Sequence, residues 1–204
     1  MKKHQIALRE ILYQNYEKRK KFLSQKSISE ACGASIGTVN SVVKKLGDLG
    51  VIEKKPLGFR IRDVKKVLHY WAATRDLEKD VVYTAYSPDL PKTIEEKIPP
   101  EVAFTAYSGF RRRFGVTPTD YSKVYLYGDP NQIARIFRQK KKERNIYVLE
   151  QDARLKDLTS EGVVPLVQLY ADLWQLPPPA NRFLEELKQK LKPTKVKIGK
   201  ITRK

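Results

Sequence analysis

Apolar residues fall at helical steps through the first third of the chain and gather into short dense runs after it. Ile6, Leu8, Ile11 and Leu12 share one side of an amphipathic helix predicted over residues 3–20. A shorter helix is predicted from about Ser27, with Ser27 and Ser29 as candidate N-caps and Ile28 and Ala31 pointing inward. Gly33-Ala34-Ser35 then reads as a tight turn, with Ser35 placed to cap a helix from Ile36 to Asp48 that stops at Gly50. Ile36, Val39, Val43 and Leu46 are expected on the apolar face of that helix. Residues 51–55 and 59–62 read as two short strands joined by Pro56-Leu57-Gly58. Residues 63–77 form a further amphipathic helix, with Val64, Val67, Leu68 and Trp71 at helical spacing. It serves as a connector between domains or as a fourth helix of the first.

The remainder alternates. Strands are predicted at 81–86, 123–127 and 145–149, and helices at 101–114, 131–142, 165–175 and 180–191, the last two separated by Pro177-Pro178-Pro179. The expected fold class is α+β: an N-terminal winged helix-turn-helix over 1–62, a connector helix over 63–77, and a small mixed α/β domain with C-terminal helices over 78–191. Residues 192–204 form a basic tail, read as a disordered arm or an alternating edge strand.

Short helix, tight turn, longer helix and basic hairpin, in that order, are what suggest the winged helix. The face of the third helix opposite its apolar stripe carries Thr38, Asn40, Ser41, Lys44 and Lys45, with Ser35 at its start. Hydrogen-bonding side chains near the helix start suit base edges, and lysines further along suit phosphates. Lys54, Lys55, Arg60 and Arg62 on the hairpin suit the DNA backbone or the minor groove.

Charge strengthens this picture through its placement. The formal net charge is +18, but residues 78–187 carry 16 Lys and Arg against 16 Asp and Glu. Residues 1–77 carry 17 against 7, and residues 188–204 carry 8 basic residues and no acidic one. A general solubility bias would not sort the excess to the two ends. The expected partner is double-stranded DNA and the expected role a sequence-specific transcriptional regulator. The alternatives are an architectural or RNA-associated protein that binds nucleic acid without sequence choice, and a winged helix used for protein contacts.

Catalytic chemistry has little support. A single cysteine, Cys32, and two histidines, His4 and His69, leave no set of Cys or His metal ligands. A nucleotidyl transferase needs paired carboxylates on a strand after a Gly-Ser turn, yet residues 123–127 are Lys-Val-Tyr-Leu-Tyr and Asp129 stands alone in a Gly-Asp-Pro turn. There is no phosphate-binding loop, zinc-hydrolase helix or serine elbow. The adjacent pair Glu95-Glu96 reads as solvated surface. No enzyme activity, cofactor or metal is expected. Arg111-Arg112-Arg113 either complements a helix C-terminus or marks a partner-binding surface. No segment resembles a signal peptide or a membrane span, so the expected location is cytoplasmic and no membrane partner is expected.

Ala103-Phe104-Thr105-Ala106-Tyr107-Ser108-Gly109, Val124-Tyr125-Leu126-Tyr127 and the run from Val164 to Leu173, together with the winged helix and the Trp71 helix, resemble the AbiEi type of transcriptional regulators. Those are antitoxin components of bacterial and archaeal type IV toxin–antitoxin systems. The resemblance implies operator binding, autorepression and a C-terminal domain that counteracts a nucleotidyl transferase toxin as cognate partner. After Leu173 the family commonly carries a Gly-Arg-rich segment, where this chain has Pro177-Pro178-Pro179.

Overall fold

A computed structural model describes residues 1–140 and 143–191. The basic tail at 192–204 lies outside the described residues. The first helix, α1 (Lys3–Leu12), passes into a π-helical turn at Tyr13–Glu17 and ends there, short of the predicted residue 20. Then come α2 (Gln25–Cys32), α3 (Ile36–Asp48), β1 (Ile52–Lys55), β2 (Gly58–Ile61) and α4 (Val64–Thr74). The cap of α2 is Ser24, whose hydroxyl accepts from the Ser27 N–H, rather than Ser27 or Ser29. Ser35 caps α3 as its position predicts, accepting from the Thr38 N–H at 3.2 Å.

The second half contains β3 (Val81–Ala85), α5 (Pro91–Lys97), β4 (Ala103–Thr105), α6 (Ala106–Phe114), β5 (Val124–Tyr127), α7 (Pro130–Ile136), β6 (Ile146–Leu149), α8 (Ala153–Leu158), α9 (Leu166–Trp174) and α10 (Ala180–Lys190). The sheet order is β3-β6-β5-β4, with β5 and β6 parallel and the other neighbours antiparallel. The molecule is therefore α+β. Period-two alternation gives the sheet two apolar faces. Val124 and Leu126 join Ile133, Ile146 and Val148 in a small core on one side. Tyr125 and Tyr127 face a larger core on the other, among α6, α9 and α10.

Two predicted helices are corrected by strand packing. Residues 103–105 are strand, paired with Tyr125–Tyr127, and helix begins only at Ala106. The run Ala103-Phe104-Thr105 is buried throughout, so a sheet position satisfies it better than one face of a helix. The helix predicted over 131–142 stops at Ile136, because Phe137 turns into the small core. The Phe137 carbonyl there accepts from the Tyr83 hydroxyl at 2.7 Å.

The helix over 63–77 is not a free spacer. Trp71 on α4 is fully buried, and the larger core runs without a break from α1 and α3 through α4 to α9 and α10. Buried ion pairs join the two halves as well. Arg75, just past α4, donates from Nε to Asp172 Oδ1 at 2.8 Å and from Nη2 to the Tyr127 hydroxyl at 2.6 Å. Asp172 also accepts from Thr105, Tyr127 and Gln168. Burial pushes the Tyr127 hydroxyl well above its usual pKa, so it stays protonated as a donor. On α1, Arg9 makes a two-pronged pair with Asp152, and Glu10 receives a similar pair from Arg154.

Candidate nucleic-acid interface

The hairpin register, Ile52↔Ile61 through Lys55↔Gly58, leaves Pro56-Leu57 as a two-residue tip. Leu23 pairs with Phe59 through two backbone hydrogen bonds of 3.0 and 2.8 Å, adding a third short strand beside β2. That pairing explains Gly58: a Cβ there would stand 2.1 Å from the Leu23 carbonyl oxygen. The hairpin is thus fixed against the segment leading into α2, next to α3.

On α3 the buried side is Val39, Val42, Val43 and Leu46. Ile36 does not belong to it; it is 57% exposed, because the first turn of α3 extends past the core. Ile36, Asn40 and Lys44 form one outward row at four-residue steps, and Gly37, Ser41 and Lys45 form the next. Several hydroxyls on this helix are already engaged. Ser35 and Thr38 bond each other at 2.9 Å, and Ser41 donates back to the Gly37 carbonyl at 3.0 Å. Asn40 is exposed, and no such local bond ties up its amide among the described residues. Its four hydrogen-bonding sites are therefore available to an external partner.

The cations of the hairpin divide into two sets. Glu53 holds Lys55 at 2.5 Å and Arg62 at 3.1 Å, and the Lys55 bond draws the Glu53 carboxyl below its usual pKa. Lys54 and Arg60 are exposed and make no ion pair among the described residues. Lys54, Lys55 and Lys26 line a cleft of about 270 Å³ between the start of α2 and the hairpin tip. Leu57, at the tip, is 83% exposed.

Residues 18–53 match the winged helix-turn-helix DNA-binding family. No curated protein and no solved structure matches the chain. The matched stretch of this winged helix runs from the end of the π-helical turn through α2 and α3 into β1. It includes a cationic run absent from the predicted site, Lys18-Arg19-Lys20-Lys21, which is exposed. The helix predicted over residues 3–20 takes in Lys18, Arg19 and Lys20, although four consecutive cations are a visible signal. Lys26 and Leu57 are absent from the predicted site too.

Glu53 makes a direct test of the wing. Replacing it with Gln removes a negative charge from the cationic surface and releases Lys55 and Arg62. The expected result is tighter duplex binding and a salt slope steeper by about one unit per cation recruited. A salt titration that gives the wild-type slope would place the wing away from phosphate.

Other candidate groups have internal roles. Glu95 is 1% exposed and not solvated, because Tyr121 donates to it at 2.7 Å and Arg111 pairs with it. Arg112 lies 3.7 Å from the same carboxylate, and Arg113 donates to the Val164 carbonyl at 3.3 Å. Each arginine of the triplet thus has a partner within the chain. Asp129 caps α7, accepting from the Asn131 N–H. Burial raises the pKa of the Cys32 thiol, which keeps it protonated at the end of α2. Among the described residues, no three His, Cys, Asp or Glu side chains converge to hold a metal, and no helix is long and apolar enough to cross a membrane.

Proposed function

We propose that the chain is a sequence-specific DNA-binding regulator whose α3 enters the major groove. The observation that carries the reading is the outward face of α3 within the matched winged helix. An uncommitted Asn40 beside exposed Ile36 is followed by Lys44 and Lys45, with the cationic wing adjacent. Asn40 reads a base edge, Ile36 offers apolar contact to a thymine methyl, and Lys44, Lys45, Lys54, Lys55, Arg60 and Arg62 meet phosphates. Ser35, Thr38 and Ser41 shape the helix start, with Thr38 a lesser base contact. Leu57 at the wing tip suits insertion into the minor groove.

Asn40→Ala is expected to lower discrimination between selected and mismatched duplexes by about 1–3 kcal/mol, with a smaller loss of affinity for random DNA. Thr38→Ala should have a weaker effect, because its hydroxyl already bonds Ser35. Equal discrimination by wild type and Asn40→Ala would take α3 out of the groove.

Gly37 supports a close approach. A Cβ there would meet only Ser35 Oγ, at 3.9 Å, so neither packing nor a left-handed backbone accounts for glycine in this first turn. Gly37→Ala is therefore expected to stabilise the fold by about 0.5–1 kcal/mol in chemical unfolding while weakening DNA binding. A more stable variant with undiminished affinity would mean that DNA does not come near this turn.

The AbiEi-type resemblance adds a finer role, an autorepressing antitoxin. The segments that carry it supply Thr105, Tyr127, Gln168 and Asp172 to the buried network, so the likeness rests on core residues. Repression of a reporter driven by the chain's own promoter supports that role, and an unaffected reporter counts against it.

A further inference from the structure

A second cavity lies away from the winged helix surface, between α4, α9, α10 and the π-helical turn. Its volume is about 250 Å³ and its lining is mainly apolar. Tyr16, Leu68, His69 and Tyr170 form its walls, and Lys65 and Lys188 also line it. Among the described residues, no carboxylate does. On α10 the ion pair is made by Lys190 with Glu186, while Lys188 lies 5.6 Å over the Trp174 ring. The His69 ring stacks on Tyr170 at 6.1 Å between centroids, and burial followed by the nearby Lys188 charge lowers its pKa. The imidazole is thus neutral at neutral pH and adds aromatic surface rather than a third cation.

Aromatic walls, two lysines and no acid fit one kind of small molecule. We propose that this cavity binds a compact aromatic carboxylate, with its ring among Tyr16, Leu68 and Tyr170 and its carboxylate between Lys65 and Lys188. The same geometry links the site to the winged helix through α4. Four residues of α4, Val64, Lys65, Leu68 and His69, line the cavity on one side. On the other, Lys66 Nζ donates to the Leu49 carbonyl at the end of α3, at 3.1 Å. The Arg62 N–H, at the α4 entry, bonds the Val51 carbonyl at 2.9 Å. A ligand that shifts α4 therefore shifts the frame that carries α3 and the wing. This second step rests on the regulator reading above; the binding step does not.

Calorimetry on the full chain without DNA tests the site, using phenylacetate and 1-naphthylacetate against their amides. The expected result is saturable binding of the acids, at least about tenfold weaker for the amides and for Lys65→Gln and Lys188→Gln. Leu68→Trp, which fills the cavity, should abolish binding. The lysine variants lie at exposed positions and keep the test valid if Leu68→Trp misfolds. No heat from either acid, or equal binding of acids and amides, overturns the proposal. So does binding that appears only in a chain shortened to end at Leu191, which would assign the cavity to residues 192–204. In a second arm, duplex affinity is compared with and without saturating acid, and a change of about fivefold or more is expected. An unchanged affinity overturns the linkage to DNA. Absence of duplex binding without any ligand overturns the regulator reading instead, and leaves the calorimetric result standing.

Discussion

Replacing Asp172 with alanine is expected to destabilise the protein by about 3–5 kcal/mol, the largest single-residue effect in the chain. Asp172 is fully buried and accepts from Arg75, Thr105, Tyr127 and Gln168. Its loss leaves the buried Arg75 guanidinium with Asp80 as its remaining carboxylate, at 3.1 Å. Three neutral donors also lose an acceptor, and unsatisfied buried polar groups are costly. Asp172→Asn keeps the shape but removes the charge, so it should fall between wild type and Asp172→Ala. Urea unfolding provides the measurement, and a loss below about 1 kcal/mol would show that the network is dispensable. Because α4 and α9 share this network and one core, unfolding should also be a single transition in which the winged helix and the sheet are lost together.

The second large effect concerns the exposed cations. Lys44, Lys45, Lys54 and Arg60 make no ion pairs among the described residues, so changing all four to Gln should leave stability within about 0.5 kcal/mol. Binding should respond strongly. The salt slope is expected to become shallower by about four units, close to one per cation. Affinity at low salt should fall on the order of a thousandfold, for selected and random duplexes alike. A variant that retains the wild-type slope would show that these side chains face solvent in the complex.

The winged helix was legible because its signals are local. Ser35 sits one residue before α3, and Pro56-Leu57 marks the turn between two short β-strands. Ile36 misled because its spacing continues the apolar stripe, while the end of α3 reaches beyond the core that would bury it. Glu95 misled for the opposite reason. Its partners Arg111 and Tyr121 lie 16 and 26 residues away and meet it only once the sheet forms, so the local pattern shows an unpaired surface acid. Arg75 and Asp172 are 97 residues apart, and nothing in their flanks marks them as partners. Residues 103–105 show the ambiguity of a short apolar run, which fits a buried strand as well as a helix. Within the candidate interface, residue types were readable but their engagement was not. Glu53 holds Lys55 and Arg62 rather than Arg60, its direct cross-strand partner, so the pairing depends on how each side chain turns and not on the strand register alone.

The most direct test of the central claim is to measure binding of the full chain to a selected duplex and to random duplex DNA across a salt series. A sequence-specific regulator gives two steep lines separated by about a thousandfold or more in affinity, with the gap persisting as salt rises. Two weak, nearly superimposed lines would contradict that account and assign the winged helix to binding without sequence choice.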